Sequence, residues 1–415
     1  MSELTYLEKL LDGVKVEWQT LGKVLKRTKG TKITAGQMKA LHKDNAPLKI
    51  FAGGKTVAFV DFKDIPEKDI NREPSIIVKS RGIIEFEYYD KPFSHKNEMW
   101  SYHSNNDAIS IKYIYYFLKI NEGYFQKIGG KMQMPQIATP DTDKFEVPIP
   151  CPDNPEKSLA IQSEIVRILD TFSALTEELT AELNMRKKQY NYYRDQLLSF
   201  DEEQEKPIYL EKLLDGVKVE WKTLEKVLKR TKGTKITAGQ MKALHKDNAP
   251  LKIFAGGKTV AFVDFKDIPE KDINREPSII VKSRGIIEFE YYDKPFSHKN
   301  EMWSYHSNND AISIKYIYYF LKINEGYFQK IGGKMQMPQI ATPDTDKFEV
   351  PIPCPDNPEK SLAIQSEIVR ILDKFDTLTN SITEGLPREI ELRQKQYEYY
   401  RDLLFSFPKP ETVSN

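Results

Sequence analysis

The stretch IQSEIVRILDTFSALTEELTAEL, residues 161–183, carries apolar side chains at alternating steps of four and three residues. The apolar positions are Ile161, Ile165, Ile168, Phe172, Leu175, Leu179 and Leu183, and the stripe continues through Tyr190, Tyr193 and Leu197. This spacing places the apolar side chains on one face of a long helix and is typical of a coiled-coil seam. Because such a stripe needs a partner to bury it, the stretch predicts a long helix packed against a second one.

The same seam occurs again near the end of the chain. Its apolar positions are Ile364, Ile368, Ile371, Phe375, Leu378, Ile382 and Leu386, followed by Tyr397, Tyr400 and Leu404. Gly385 and Pro387 interrupt this second copy, so we expect a kink or a restart of the helix there. Each helix is the natural partner of the other, and antiparallel packing is expected because a globular domain separates them in sequence.

Both helices belong to a duplication that covers most of the chain. Residues 6–13 (YLEKLLDG) return as residues 209–216, and residues 23–170 are identical to residues 226–373. A repeat of this size is a duplication of one domain-scale unit, because solenoids repeat many times at periods of about 20 to 50 residues. Perfect identity inside the block, with drift only outside it, indicates either a very recent duplication or one built in a laboratory.

Each repeat divides into a globular part and a helical part. Short β-branched and aromatic runs between turn residues indicate strands at 49–52, 56–60, 75–78 and 82–89, and residues 109–120 have the spacing of a buried helix. We therefore predict an α+β fold, in which two mixed α/β globular domains are joined by two long antiparallel helices that form a coiled-coil rod. The expected boundaries are 1–153 for the first domain (with an N-terminal segment at 1–13), 154–200 for the central helix, 201–208 for a linker, 209–356 for the second domain, 357–407 for the C-terminal helix and 408–415 for a tail.

The overall composition excludes several classes of protein. The chain has 62 Lys+Arg against 61 Asp+Glu, and this balance alone gives no reason to expect a polyanionic partner. Two cysteines cannot form a disulfide framework and suit a reducing compartment. The acidic start of the chain does not resemble a signal peptide, and no run of 18 apolar residues is present. We expect a soluble, cytoplasmic protein without membrane association.

The balanced total hides a local excess of positive charge. Residues 21–60 contain nine Lys/Arg and a single acid, Asp44, which gives a local charge of +8. Scattered lysines of this kind often form an ordinary solvated face, but a one-signed patch among polar loops also neutralises phosphates and releases counterions. Loops at 94–97, 104–106 and 131–136 carry polar groups that could contact base edges, because Asn and Gln match adenine while Arg and Lys match guanine.

The candidate DNA-binding residues are the cations and polar side chains of these segments. In the first repeat they are Lys29, Lys32, Lys55, Lys79, Arg81, His95, Lys96, Asn97, Ser104, Asn105, Asn106, Lys127, Lys131, Gln133 and Gln136. In the second repeat they are Lys232, Lys235, Lys258, Lys282, Arg284, His298, Lys299, Asn300, Ser307, Asn308, Asn309, Lys330, Lys334, Gln336 and Gln339.

A search for catalytic groups finds none. Residues 53–56 (GGKT) resemble the end of a phosphate-binding loop, but Lys49 occupies the position of its first glycine. His95 and His103 lack the carboxylate pattern of a zinc hydrolase, and Cys151 has no identifiable histidine partner. We therefore expect no catalytic residue, no metal site and no cofactor in this chain.

Several segments together resemble the specificity subunit of type I restriction-modification enzymes, in the subgroup called IC. They are LLDGVKVEW at 10–18 with its copy at 213–221, PIPCP at 148–152, QSEIVRIL at 162–169, LTEELTAEL at 175–183 and YEYYRDLLFSF at 397–407. Each segment is a weak signal alone, and the combination is specific.

The resemblance implies a non-catalytic subunit with two target-recognition domains, each reading one half of a split site in double-stranded DNA. The helices would set the length of the unread spacer and dock two modification subunits that hold S-adenosylmethionine and methylate adenine N6. Restriction subunits would join them for translocation and cleavage that require ATP and Mg. Because members normally carry two different domains and these two are identical, we expect a palindromic site.

Two other classes stay open at this stage. A duplicated scaffold would bind proteins through its domains and show no sequence-specific DNA recognition. An unrecognised enzyme would need a catalytic constellation that the sequence does not reveal.

Overall fold

The computed structural model describes residues 9–10, 14–130, 133–200, 208–334 and 336–407. The chain forms two compact units. Unit 1 comprises the residues up to Leu179 together with those from Glu389 onward, and unit 2 comprises Thr180–Arg388. Each unit is therefore built from parts of both repeats.

The first repeat forms nine of the described strands and six of the described helices. They are β1 (Val16–Thr20), α1 (Leu21–Val24), β2 (Lys26–Lys29), α2 (Ala35–Leu41), β3 (Leu48–Phe51), β4 (Val57–Val60), β5 (Ser75–Lys79), β6 (Glu85–Tyr89), β7 (Phe93–His95), β8 (Trp100–His103), α3 (Ile111–Ile120), α4 (Glu122–Gly129), α5 (Thr139–Asp143), β9 (Glu146–Pro150) and α6 (Pro155–Leu197). Two short 3₁₀ turns lie between β4 and β5, at Phe62–Asp64 and Glu67–Asp69.

The second repeat forms the same series after a short helix, and differs at its end. Its elements are α7 (Ile208–Leu214), β10 (Val219–Thr223), α8 (Leu224–Val227), β11 (Lys229–Lys232), α9 (Ala238–Leu244), β12 (Leu251–Phe254), β13 (Val260–Val263), β14 (Ser278–Lys282), β15 (Glu288–Tyr292), β16 (Phe296–His298), β17 (Trp303–His306), α10 (Ile314–Ile323), α11 (Glu325–Gly332), α12 (Thr342–Asp346), β18 (Glu349–Pro353), α13 (Pro358–Asn380) and α14 (Leu386–Leu404). The matching 3₁₀ turns are Phe265–Asp267 and Glu270–Asp272.

Three small sheets form the globular part of unit 1 among the described residues. One sheet has the antiparallel order β2-β8-β5-β6, and a second has the order β4-β3-β7, in which β3 and β7 are parallel. The third pairs β1 with β9, the first and last strands of the globular part. The proline-rich strand β9 fits a two-stranded sheet because its imino nitrogens can lie on an unpaired edge. Unit 2 repeats these three sheets.

The core of unit 1 is closed by the end of the second repeat. Tyr113 and Phe117 of α3 pack in one apolar cluster with Ile165 of α6, and this cluster also contains Leu404 and Phe405. The ring of Phe405 lies 5.4 Å from that of Tyr113 and 5.6 Å from that of Phe117. In unit 2 the equivalent cluster contains Leu197, Leu198 and Phe200 from the end of the first repeat.

The predicted seam residues contact each other within each unit. In unit 1, Phe172 of α6 stacks on Tyr400 of α14 with ring centroids 5.2 Å apart. In unit 2, Tyr193 of α6 stacks on Phe375 of α13 at 5.6 Å. These contacts confirm the prediction that the two long helical segments pack against each other, and the mixed α/β fold class is confirmed as well. The prediction that Ile382 belongs to the seam is wrong, because its side chain is 78% exposed in the break between the two helices of the second copy.

The second long helix is interrupted where the sequence places Gly385 and Pro387. Helix α13 ends at Asn380, and the Ser381 hydroxyl accepts a hydrogen bond from the Glu384 amide at 3.1 Å. Gly385 has a φ of +84°, which favours glycine, and Pro387 then occupies the first turn of α14, where its missing N–H is tolerated. Helix α6 is continuous over 43 residues.

Four predicted strands and one predicted helix correspond to observed elements. The runs at 49–52, 56–60 and 75–78 match β3, β4 and β5 within one residue at every boundary, and 109–120 matches α3, which begins two residues later, at Ile111. The run at 82–89 forms β6 only from Glu85, because Gly82 adopts a φ of +78° in the preceding turn. None of the described helices is both long enough and apolar enough to cross a membrane.

Replacing Phe405 with alanine tests the closure of unit 1. Because this ring packs on Tyr113 and Phe117, we expect Phe405→Ala to lower the free energy of unfolding of unit 1 by about 3 to 5 kcal/mol. The neighbouring exposed residue provides the control, and Ser406→Ala should change stability by less than about 1 kcal/mol. Urea unfolding followed by circular dichroism measures both, and equal stability of the two variants would contradict this role.

Candidate nucleic-acid interface

Six lysines of the basic segment 21–60 have exposed side chains and form no ion pair with any described residue. They are Lys23, Lys26, Lys29, Lys32, Lys39 and Lys55. The other three cations of the segment are paired: Arg27 with Asp143, Lys43 with Asp61 and Lys49 with Glu87. The sequence excess of positive charge therefore becomes an excess of uncompensated surface charge, which attracts phosphates.

Residues 80–83 and 134–137 form a short antiparallel ribbon beside the sheets. The Gly82 amide donates to the Pro135 carbonyl at 2.9 Å, and the Ile137 amide donates to the Ser80 carbonyl at 3.0 Å. These two bonds flank Arg81 and Gln136, which face each other as a bridge pair. A pair flanked in this way is the non-hydrogen-bonded type, in which the facing side chains come closest.

The facing side chains of the ribbon are hydrogen-bonded to each other. Arg81 donates through Nε and Nη2 to Oε1 of Gln136, at 3.1 and 2.9 Å, and both residues are exposed. Arg284 and Gln339 make the same two bonds in unit 2, at 3.1 and 2.9 Å. The ribbon therefore presents a preorganised guanidinium–amide pair to solvent in each unit.

Other candidate loops lie at the same edge of unit 1 as the ribbon. The Ser80 hydroxyl donates to the Glu98 carbonyl at 2.8 Å, and Thr31 forms a parallel bridge with Lys96. Gly30 is required beside this bridge, because a Cβ there would overlap the carbonyl oxygens of His95 and Lys96. The structure thus brings the segments 29–32, 80–83, 95–98 and 134–137 together.

Three further candidate positions flank this edge. Lys55 lies in the turn after β3, and the last residue of β3, Phe51, accepts a hydrogen bond from the Lys96 amide at 2.9 Å. Lys127 is exposed on α4, whose last residue, Gly129, accepts a hydrogen bond from the Gln136 amide at 3.1 Å. Gln133 is exposed next to the ribbon, and Lys131 lies outside the described residues.

The loop 104–106 lies at the opposite end of the same sheet. In β8, Trp100 faces Lys29 and His103 faces Lys26, so the residues after His103 follow the end away from the ribbon. The Ser104 hydroxyl donates to the Asn106 carbonyl at 2.9 Å, and the Asn106 side-chain oxygen accepts from the Ala108 amide at 2.9 Å. Asn105 is exposed in this loop. These side chains stabilise their own loop and are not brought to the ribbon.

Burial contradicts the prediction that His95 contacts DNA. The side chain is fully buried, and its ring nitrogens lie 3.1 Å from the Ser101 hydroxyl and 3.1 Å from the Lys96 carbonyl. Burial lowers the pKa of His95 to about 4, so the ring is neutral at pH 7. His298 is buried in the same way with a pKa of about 4. Both histidines support the loop from inside instead.

Lys79 is also withdrawn from the surface, contrary to prediction. It is buried at the end of β5 and forms ion pairs with Glu85 and Glu87, the latter at 2.8 Å. Burial opposes its charge, but hydrogen bonds from the ammonium to both carboxylates raise its pKa overall. Lys282 repeats this arrangement with Glu288 and Glu290. These lysines clamp the strands on either side of Arg81 and Arg284 rather than contacting phosphates.

The remaining candidates occupy matching places in the two units. Lys96 pairs with Glu98 at 2.7 Å, whereas Asn97 is exposed. The equivalent residues of unit 2 are Lys232, Lys235, Lys258, Lys299, Asn300, Ser307, Asn308, Asn309, Lys330, Lys334 and Gln336, of which Lys299 pairs with Glu301 at 2.7 Å.

Two exposed apolar side chains of the ribbon were not among the binding residues predicted from the sequence. Ile83 and Met134 are exposed, at 50% and 58% of their surface, beside Arg81 and Gln136. Exposed apolar side chains that lie together can contribute to an interaction surface. Their alternation with Arg81 and Gln136 was a possible signal, but only the pairing of the two distant segments gives it meaning.

Within the described part of the chain, no group of three or more His, Cys, Asp or Glu residues is arranged to hold a metal ion.

The family model described as "Type I restriction modification DNA specificity domain" matches residues 15–185 and again residues 218–392. The two matches coincide with the two repeats.

Curated relatives extend the similarity over the whole chain. The specificity subunit of the type I restriction enzyme EcoR124I/EcoR124II from Escherichia coli is 40% identical, and the alignment covers 100% of both chains. The specificity subunit of the EcoprrI enzyme from the same species is 34% identical over 92% of this chain and 93% of that one.

A solved structure shows the same fold. The S subunit of a type I restriction-modification system from M. genitalium superimposes with a TM-score of 0.64 at 17% identity, covering 96% of this chain and 98% of that one. With two family matches over most of its length, the chain belongs to the type I restriction-modification DNA specificity family. Its expected status as a specificity subunit, and not itself an enzyme, agrees with this family.

The buried histidines predict a pH dependence of stability. Because the folded-state pKa of about 4 lies below the usual 6.5, the unfolded chain binds protons that the folded chain does not, and stability falls as pH drops from about 6.5 toward 4. Each histidine should contribute about 1.4 kcal/mol per pH unit within that window. We expect the doubly substituted His95→Gln, His298→Gln protein to lose much of this slope.

Thermal unfolding between pH 7.5 and 5 measures the effect. The control, Asn97→Gln with Asn300→Gln, changes two exposed residues that do not titrate and should retain the slope of the parent protein. An identical slope in the parent and the buried-histidine variant would show that His95 and His298 are not the titrating groups.

Proposed function

We propose that this specificity subunit reads double-stranded DNA through the edge of each unit that carries the ribbon. The observation that carries the proposal is the exposed Arg81–Gln136 pair, set among unpaired lysines and repeated as Arg284–Gln339. Cations around such a surface position the phosphate backbone, while a side-chain pair at its centre can contact base edges. The target-recognition domains are assigned to residues 1–153 and 209–356.

The proposed site is palindromic. Residues 23–170 and 226–373 are identical in sequence, and the ribbons of the two units have the same hydrogen-bond lengths. Two identical readers select two identical half-sites, and the antiparallel helices expected from the sequence would present these half-sites in inverted orientation around an unread spacer. The domains in this chain therefore favour one half-site, a spacer and the inverted half-site.

The long helices are proposed to set the spacer and to dock two modification subunits. Tyr192 on α6 and Tyr399 on α14 occupy equivalent positions of the two repeats and are exposed at 60% and 52%. Exposed tyrosines on a helix face suit a protein interface, and their equivalence supports two copies of one partner. Those subunits would bind S-adenosylmethionine and methylate adenine N6, and restriction subunits would add cleavage that requires ATP and Mg. The assembly would act in the cytoplasm.

Methylation mapping tests the proposed palindrome. Cells that express this chain with its modification subunit should carry N6-methyladenine in one motif whose two halves are inverted copies. Long-read sequencing that detects modified bases gives the motif directly. An asymmetric split motif would contradict the assignment of one half-site to each identical unit.

The salt dependence of DNA binding separates this function from that of a protein-binding scaffold. Because each phosphate contact contributes about 0.9 to the slope of log K against log salt, Lys29→Ala with Lys232→Ala should reduce that slope by about two and weaken all sequences equally. Lys68→Ala with Lys271→Ala removes two exposed lysines outside the basic segment and should leave the slope unchanged.

Fluorescence anisotropy over a range of salt concentrations measures both pairs of variants. A parent protein whose weak binding shows neither salt dependence nor sequence preference would favour the scaffold.

A further inference from the structure

The ribbon exposes four side chains to solvent. Along one side of the ribbon, Arg81 and Ile83 are exposed, whereas Ser80 and Ile84 are buried. On the facing strand Met134 and Gln136 are exposed and Ile137 is buried. Arg81 and Gln136 lie on one face, because they are a facing pair whose side chains are hydrogen-bonded, and Ile83 and Met134 are exposed beside them.

A two-stranded ribbon of this kind fits the major groove of B-form DNA, whose width admits either a helix or two strands. The edge of unit 1 around the ribbon carries Lys29 and Lys32, which are exposed and can contact the flanking phosphates. Ile83 and Met134 provide an apolar surface next to the polar pair, suited to close contact with base edges once water is displaced.

The hydrogen bonds within the pair determine what it can recognise. Oε1 of Gln136 accepts both bonds from Arg81, so the acceptor of the amide is occupied. The Nη1 group of Arg81 and the Nε2 group of Gln136 remain, and both are donors only. A surface that offers donors alone matches a base edge that offers acceptors alone.

Guanine is the base whose major-groove edge carries two acceptors, N7 and O6, without a donor. Adenine places an amino donor beside N7 and cytosine presents an amino donor, so each would face an unmatched N–H of the pair. Thymine offers a single acceptor, O4, and therefore satisfies only one of the two donor groups. Resting on the proposed function, we propose that Arg81–Gln136 reads a guanine in one half-site and that Arg284–Gln339 reads the equivalent guanine in the other.

The ribbon is held rigidly enough to discriminate. Lys79 clamps the two strands that precede and follow it, through Glu85 and Glu87. The other segment of the ribbon packs closely against the end of α4. A Cβ on Gly129 of that helix would lie only 2.9 Å from the Gln136 carbonyl oxygen. Side chains fixed in this way lose little conformational entropy on binding, which favours selectivity.

The duplicated chain provides its own control for testing this assignment. The full-length chain, assembled with its modification subunits, is allowed to select from a duplex DNA pool with a randomised central segment, and the bound DNA is sequenced. Arg81→Ala is introduced in unit 1 only, so unit 2 keeps an intact reader in the same molecule. We expect the parent to select a guanine in both half-sites.

In the Arg81→Ala protein, the preference for guanine should fall by about 5- to 100-fold in one half-site and persist in the other. Gln136→Glu, which is close in shape to glutamine, replaces the amide donor by an acceptor and should remove the guanine from the same half-site. Gln37→Glu makes the same chemical change in the capping box of α2, where glutamate also caps, and should leave both guanines.

The outcomes separate this assignment from the proposed function. Retention of guanine in both half-sites of Arg81→Ala, or selection of no guanine by the parent, overturns the reading by the ribbon while sequence-specific binding stands. A parent protein that selects no sequence at all overturns the proposed function and the role of the ribbon with it.

Discussion

The core of each unit depends on apolar residues that the chain supplies from outside the contiguous globular segment. Leu404 and Phe405 pack into the cluster of unit 1, and Leu197 and Phe200 pack into that of unit 2. Because burial of these side chains is favourable only if a long helix delivers them, the helices are part of both cores rather than a loose linker. The stacked rings along the helices, such as Phe172 on Tyr400, extend the same constraint.

The core of each unit supports the polar surface that carries the ribbon. The sheet β2-β8-β5-β6 ends beside the ribbon, and buried groups hold the connections there: His95 on Ser101, and Lys79 on Glu85. The buried Lys79 is paired with carboxylates, whereas the exposed Lys29 and Lys32 form no ion pair with any described residue. The nearly neutral total of the chain is therefore compatible with a surface that binds a polyanion.

Local patterns predicted the fold well and the binding surface only in part. The four-and-three spacing of the seam identified α6, and alternating apolar runs identified β3 to β5, because these signals depend on neighbours in sequence. The ribbon joins Arg81 to Gln136 across 55 positions, so no local pattern reveals it. Burial of His95 depends on the packing of strands that are distant in sequence. The polar residues around it therefore predicted an exposed loop.

The central claim is that two identical units read two inverted copies of one half-site. Competition binding with three duplexes tests it: one with two inverted half-sites at the mapped spacing, one with two direct repeats at that spacing, and one with a single half-site. The full-length chain with its modification subunits should bind the inverted pair about tenfold or more tightly than the direct repeat, because only the inverted pair engages both units at once. Equal affinity for the inverted and direct arrangements would contradict the claim.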